Sequence, residues 1–343
     1  MTDISRKGFK VDSIIHDLQD PDSLPDPSEK VNVVQTHISI VFVADEYVYK
    51  VKKPVNFGFL DFSTLEKRLN FCRREIELNR RLSRDIYLDV LPVFFDGKKY
   101  KINTGPGEIV EYAVKMRRVP EGRLMKSMFN AGILSNEHLD GVARVLAEFH
   151  SNAHRSHEID EFGEPERFKI NTDENFHQVE KYIGKTIPDK LFHGLKTWTD
   201  NFYKSNHSLF LQRISEGKVR DCHGDLRMEH VCLTDNISII DCIEFNDRFR
   251  YGDALADIAF LLMDLDFHEG EKLSLDLWEK YRGITGEEDI EGLLIFYKVY
   301  RAFVRGKVIS FQIDDKSISD KKKEEAVKTA GKYFDLAFSY ISS

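Results

Sequence analysis

At 343 residues the chain is long enough for one large domain or two modest ones, and 41% hydrophobic against 31% charged residues excludes a disordered or fibrous protein. A net charge of −8, from 50 basic and 58 acidic residues, argues against nucleic acid or an anionic membrane surface as a partner. The first twenty residues hold no apolar core of signal-peptide length, and the most apolar run, IAFLLM at 258–263, is too short to cross a bilayer, so a cytoplasmic location is expected.

Residues 1–32, with DPDSLPDPSEKV at 20–31, are rich in Pro, Asp and Ser and read as an N-terminal extension or linker. From 33 to about 118 the texture is β-rich. HISIVFVAD (37–45) and EYVYKVKK (46–53) alternate apolar and polar residues across a tight turn, which predicts a hairpin. STLEKRLNFCRREIELNRRLS (63–83) places Leu65, Leu69, Cys72, Ile76 and Leu82 at helical spacing, with Ser63 as expected N-cap and Glu66 three residues on. LDVLPVFF, KKYKI and EIVEYAVKM then complete an expected five-stranded sheet carrying one helix. From 119 to 343 the periods are helical, broken only by short strands KVRDCH, VCLT and ISIIDCI around a polar loop. The expected fold class is α+β, with a small β lobe over 33–118 and a larger, mainly helical lobe over 119–343.

Cys222, Cys232 and Cys242 recur every ten residues beside His223 and His230, which suggests zinc, but each lies in or beside an apolar β-like run where a small buried thiol is ordinary packing. The chemistry concentrates in DCHGDLRMEHVCL (221–233) and SIIDCIEF (238–245). If the strands around Cys232 and Ile239 pair, Asp225 and Asp241 fall at one end of a hairpin. Two close carboxylates repel unless a cation sits between them, and hard oxygen donors suit Mg²⁺, with a phosphate adding further oxygens. Gly224 lets the backbone turn just before the first of them. The competing reading is that Asp and Gly here only terminate strands.

These motifs resemble the aminoglycoside phosphotransferase and choline kinase branch of the protein-kinase-like fold. HGDLRMEH is similar to the family's HGDxxxxN catalytic loop, IIDCIEF to its second metal-binding Asp, YGDALADIAFLL (251–262) to its GDxxxDLA segment, and VLAEFHSNA (145–153) to its helix ending in His. The resemblance runs from about residue 33 onward and implies a two-lobed fold that moves the γ-phosphoryl of ATP to a hydroxyl of a small molecule, with Mg²⁺ as cofactor. It makes Asp225 the residue that orients or deprotonates the attacking hydroxyl and Asp241 the metal ligand. It also implies a strand Lys on the phosphates, Lys50 with Lys52 as the alternative, paired with Glu75 of the helix, Glu77 second. The backbone near Met116 to Arg118 would meet an adenine edge.

Several positions depart from the pattern. His230 stands where the family has a metal-binding Asn; imidazole suits softer ions better than Mg²⁺, so Mn²⁺ substitutes, or Asp241 and water hold the metal, or the ring only hydrogen-bonds. No glycine-rich loop precedes the hairpin, leaving Thr36, His37 and Ser39 to cover phosphates. This absence, and HGD in place of HRD, disfavour a protein kinase. Arg227, two residues after Asp225, adds a cation able to make two hydrogen bonds to phosphoryl oxygens. Glu244, Asn246, Arg248 and Arg250 are substrate candidates, as are Tyr297, Arg301 and Arg305 on one helix face, where pairing with the chain's own acidic residues is the alternative. KKPVNFGFLDFSTLEKR and YKVYRAFVRGKV resemble a bacterial branch in which some members are fused to a nucleotide-binding P-loop domain. The chain has no Walker A motif and so corresponds to the kinase-like part alone; a nucleotide-binding, weakly catalytic module acting through a partner such as a P-loop ATPase is the second functional expectation.

Overall fold

The computed structural model describes residues 11–315 and 318–342. They form two compact units: one runs to Ser127 and takes in His230–Asp247, the other comprises Met128–Glu229 and the chain from Arg248 onward. In the first unit, helix α1 (Val11–Leu18) buries Ile14 and Leu18 completely. The acidic stretch that follows is fastened rather than loose. Asp26 accepts the Tyr49 hydroxyl and lies 2.6 Å from Lys115 Nζ, while Leu24 and Val31 are buried.

Strands β1 (Asn32–Gln35), β2 (Ser39–Val43) and β3 (Tyr47–Lys52) lead to helix α2 (Leu65–Asn79), then to β4 (Tyr87–Phe95), β5 (Tyr100–Ile102) and β6 (Glu108–Arg117). They form one antiparallel sheet in the order β1-β2-β3-β6-β4-β5. The sheet thus has six strands and not five. The extra one, β1, is a largely exposed edge without alternating burial, so its sequence carries no period-2 signal. The cap of α2 also shifts by one residue: Thr64 accepts the Lys67 N–H, while Ser63 bonds Asp61.

Alternation along the strands divides the sheet's work. Ile40, Phe42, Tyr49 and Val51 share one apolar cluster with Ile14 and Leu18 of α1. Lys50, paired with Val41 and Val114, and Lys52 point to the other face, where Cys72 and Ile76 of α2 pack on Tyr87 and Val114. Strand β3 therefore brings two lysines toward α2.

Beyond β6 the chain is mostly helical. It contains α3 (Met125–Asn130), α4 (Asn136–Asn152), α5 (His157–Asp160), α6 (Pro165–Val179) and α7 (Asp189–Ser215), then the short strands β7 (Val219–Asp221), β8 (Val231–Cys232), β9 (Ser238–Ile239) and β10 (Tyr251–Asp253). Helices α8 (Ala254–Phe267), α9 (Glu271–Thr285), α10 (Glu291–Ser310) and α11 (Asp320–Ser342) close the chain. β8 pairs with β9 in the first unit, and β7 with β10 in the second. Every residue of α8 from Ala254 to Asp266 is buried, the signature of a central helix. Phe260 and Met263 of α8 share a core with Phe303 of α10 and Phe334 of α11. Gly306 allows this approach, since a Cβ there would stand 2.8 Å from the Phe334 ring. Among the described residues no helix is long and apolar enough to cross a membrane.

Candidate active site

In the first unit, β3, α2 and the segment after β9 bring a cluster of charged side chains together. Lys50 Nζ lies 2.7 Å from Asp241 Oδ1 and 2.9 Å from Glu75 Oε1, the second an ion pair outside hydrogen-bond alignment. Lys52 Nζ donates to Glu75 Oε2 at 2.6 Å and to Glu244 Oε1, and all three side chains are sealed from solvent. Burial opposes the charge on both lysines, but the facing carboxylates, Asp241 and Glu75 for Lys50 and Glu244 and Glu75 for Lys52, hold both above the ordinary lysine range. Burial pushes Glu75 up and the two ammonium groups outweigh it, whereas burial of Glu244 prevails and raises its carboxyl.

Asp241 is presented by a strained backbone, at φ 63°. Its N–H donates to the Tyr87 hydroxyl at 3.0 Å, and the next N–H, of Cys242, donates to Asn79 Oδ1 at 2.9 Å. Its side chain is 45% exposed, which makes it the accessible carboxylate of this cluster. Oδ2 faces the buried His230, whose Nε2 is 3.7 Å away. The letter that departs from the family pattern therefore faces the expected metal ligand.

In the second unit the loop after β7 is pinned from several sides. Asp257, fully buried in α8, accepts the N–H groups of His223 and Gly224, both at 2.8 Å. His150 of α4 approaches it at 3.3 Å through Nε2 and contacts the Tyr281 hydroxyl at 2.8 Å through Nδ1. Burial pushes the Asp257 carboxyl up, but His150, His223 and Arg301 hold it below the usual carboxylate range. Gly224, at φ 87°, donates its N–H to Asp257 and offers its carbonyl to Arg301 Nη1 at 3.0 Å. Asp225 follows directly. Arg227 grips it with two hydrogen bonds, Nε to Oδ1 and Nη2 to Oδ2, each 2.9 Å, and burial notwithstanding, the Asp225 carboxylate raises the guanidinium further.

The remaining candidates find other employment. Glu244, expected beside substrate, is the buried partner of Lys52. Arg248 makes two hydrogen bonds to Glu174 at 2.8 and 2.5 Å, Asn246 donates to the Phe59 carbonyl at 2.9 Å, and Arg250 pairs with Asp221 in the interior. Tyr297 is core, and Arg301 donates to the carbonyls of Gly224 and Ala256 rather than to carboxylates. Arg305 has its Nε buried without a hydrogen bond and its guanidinium 5.7 Å from the Tyr333 ring centre. Met116 is paired within the sheet between Val48 and Tyr87, and the Arg118 N–H is taken by the Glu46 carbonyl at 2.8 Å, so that amide is not open to adenine. All four cysteines are buried and reduced. Among the described residues only Cys222 comes near a His and an Asp, His150 and Asp257, and those two are committed to Tyr281, His223 and Gly224. Asp257 lies in the segment YGDALADIAFLL that the resemblance singles out; Tyr87 and Asn79, which steady Asp241, carry no sequence signal.

Paired Lys–Glu residues on a strand and a helix, with Asp-bearing loops, are parts that a kinase-like phosphotransferase requires. Residues 69–293 match the phosphotransferase enzyme family, and the chain belongs to it. It is 34% identical over 279 residues to an uncharacterised protein of Mycobacterium tuberculosis, and to one of Mycobacterium bovis, covering 81% of this chain and 54% of each relative. The chain thus spans about half the length of the curated relatives it matches. Among solved structures it is similar to a choline/ethanolamine kinase family protein of Mesorhizobium loti (TM-score 0.50, 12% identity, 91% of this chain and 92% of that one). It is also similar to a chain of Ralstonia eutropha described provisionally as an aminoglycoside phosphotransferase (TM-score 0.54, 14% identity, 94% and 95%). At these identities the likeness shows the fold, the kinase-like α+β class expected from the sequence.

Proposed function

We propose that the chain transfers the γ-phosphoryl group of ATP to a hydroxyl of a small molecule. The observation that carries this reading is Lys50 held between Glu75 and the accessible Asp241. An ammonium fixed by a helix carboxylate is what a phosphate-binding lysine requires, because its charge stays on and its position is set before nucleotide arrives. Lys52, sealed between Glu75 and Glu244, is the strut that holds this arrangement.

Asp241 fits a divalent cation: its Oδ2 turns from Lys50 toward His230, the second donor that would hold the ion. When bound, the cation would neutralise charge on the nucleotide phosphates. Asp225 orients the acceptor hydroxyl and takes its proton, with its place fixed by the Gly224 peptide that Asp257 and Arg301 hold. Arg227 holds both carboxylate oxygens of Asp225 and offers its guanidinium to phosphoryl charge. A reaction that consumes ATP fits a cytoplasmic protein.

The two-point grip of Arg227 on Asp225 favours a second reading, a nucleotide-binding module of low activity. In it the chain acts through a protein partner, such as a P-loop ATPase. One experiment separates them: metal-dependent ADP formation across a panel of hydroxyl compounds, with Asp225→Ala as control. Stimulation by a panel member that Asp225→Ala abolishes supports transfer; nucleotide binding without stimulation by any member supports the module.

A further inference from the structure

We infer that Lys307 is a modification site, where dissolved carbon dioxide adds to the side-chain amine as a carbamate and turns a cation into an anion. The site lies between α10 and α6 and does not depend on the phosphotransferase reading. Lys307, in the last turn of α10, is half-buried, and its Nζ donates to Asn175 Oδ1 at 2.6 Å and to Gln178 Oε1 at 2.9 Å, both on α6. Among the described residues these two neutral amides are its hydrogen-bond partners, and no carboxylate forms an ion pair with it. The decisive residue is Asn175. It is 5% exposed, and while its Oδ1 is taken by Lys307, its Nδ2 is buried with no hydrogen-bond partner. A buried amide donor left unmade is costly.

A carbamate on Nζ supplies the missing acceptor. Its N–H and the oxygen beside it present a donor and an acceptor on one edge, the complement of the Asn175 amide edge. The N–H keeps the bond to Oδ1, and the oxygen accepts from Nδ2. Asn175 also lines a recess with Thr172, Phe176 and Phe303, whose largely apolar walls suit an uncharged molecule such as carbon dioxide. The step needs the neutral amine and no oxidant. The ammonium first gives a proton to solvent. The nitrogen lone pair then forms an N–C bond, one C–O π pair moves onto oxygen, and a second proton leaves the nitrogen. Burial lowers the Lys307 ammonium to about 8; of the charged groups facing it, Glu174 on α6 raises it and Arg248, ahead of β10, lowers it. About half of the amine is therefore neutral at pH 8. The same two groups act on the product in the opposite sense, Arg248 favouring the new negative charge and Glu174 opposing it.

The test holds the full chain under isotopically labelled carbon dioxide at fixed pressure from pH 6 to pH 8. Carbamates are trapped as ethyl esters with an oxonium reagent and mapped by peptide mass spectrometry. The label on Lys307 should rise with pH, and at pH 8 it should exceed that on the exposed Lys190 by about tenfold or more, since an ordinary lysine stays almost wholly protonated there. Asn175→Leu removes both halves of the amide edge at similar volume, and should lower the Lys307 label by about tenfold or more, because hydrogen bonds to a charged group are lost. Labelling of Lys307 no greater than that of Lys190, or a Lys307 label unchanged in Asn175→Leu, would overturn the inference. If Asn175→Leu does not fold, the comparison of the two lysines in the wild type decides alone.

Discussion

Lys52→Met isolates the buried strut of the β-rich unit, and its effect can be worked from the geometry. Lys52 Nζ is the hydrogen-bond donor to both Glu75 Oε2 and Glu244 Oε1, with side-chain exposures of 1%, 1% and 5%. Methionine nearly preserves the shape and removes the charge. Glu75 keeps Lys50 at 2.9 Å, so the group left stranded is Glu244. Removing one member of a buried ion pair costs about 3–5 kcal/mol, because the remaining charge is neither solvated nor compensated. The sign of the pH dependence follows from burial. The Glu244 carboxyl is already raised in the native protein, and losing Lys52 raises it further. A carboxyl raised on folding destabilises the fold once pH passes above the unfolded value, near 4.3, and the deficit grows until pH exceeds the folded value. Urea unfolding of Lys52→Met followed from pH 5 to pH 8 should show a deficit that widens with pH. Lys52→Met combined with Glu244→Gln should recover a substantial part of it. A deficit independent of pH, or a double variant as unstable as the single one, would refute the assignment of Glu244 as the stranded charge.

Other consequences can be checked separately. Lys50→Met should lower phosphoryl transfer by about 10²-fold or more while ADP still binds, since one charge contact at the phosphates is worth about 2.7 kcal/mol or more; single-turnover kinetics reads the split. Asp257 has a carboxyl held below its unfolded value, so its contribution is present above about pH 4 and disappears as pH falls through the folded value. Asp257→Asn should therefore flatten the acid limb of the stability profile measured by thermal melts. Thr64→Ala removes the α2 cap and should cost about 1 kcal/mol in chemical denaturation, whereas Ser63→Ala should cost less.

Much of the fold was written in local periodicity. Alternation in HISIVFV and EYVYKVKK marks β2 and β3 because each strand has one apolar face toward α1, and the 3.6-residue recurrence of Cys72 and Ile76 marks α2. Edge strand β1 escaped notice because NVVQ lies almost wholly in solvent and needs no pattern. The candidate site was legible where the resemblance singles out particular letters, as in HGD, IIDC and a strand lysine. It was illegible where a side chain meets a backbone carbonyl. Arg301 looked like one of two aligned cations for an anion, yet its partners are the Gly224 and Ala256 carbonyls, which leave no trace in sequence. The pairing of Glu244 was hidden for a related reason: its partner Lys52 lies 192 residues earlier, and no local spacing links them.

The measurement that bears most directly on the central claim is calorimetric titration of the full chain with ADP, with and without a divalent cation, in the wild type and in Asp241→Asn. A single nucleotide site is expected whose affinity rises with the cation in the wild type and loses that dependence in Asp241→Asn, because the accessible carboxylate beside Lys50 is the proposed anchor of the cation. Cation-dependent binding that survives Asp241→Asn unchanged, or no binding of nucleotide under any of these conditions, would contradict it.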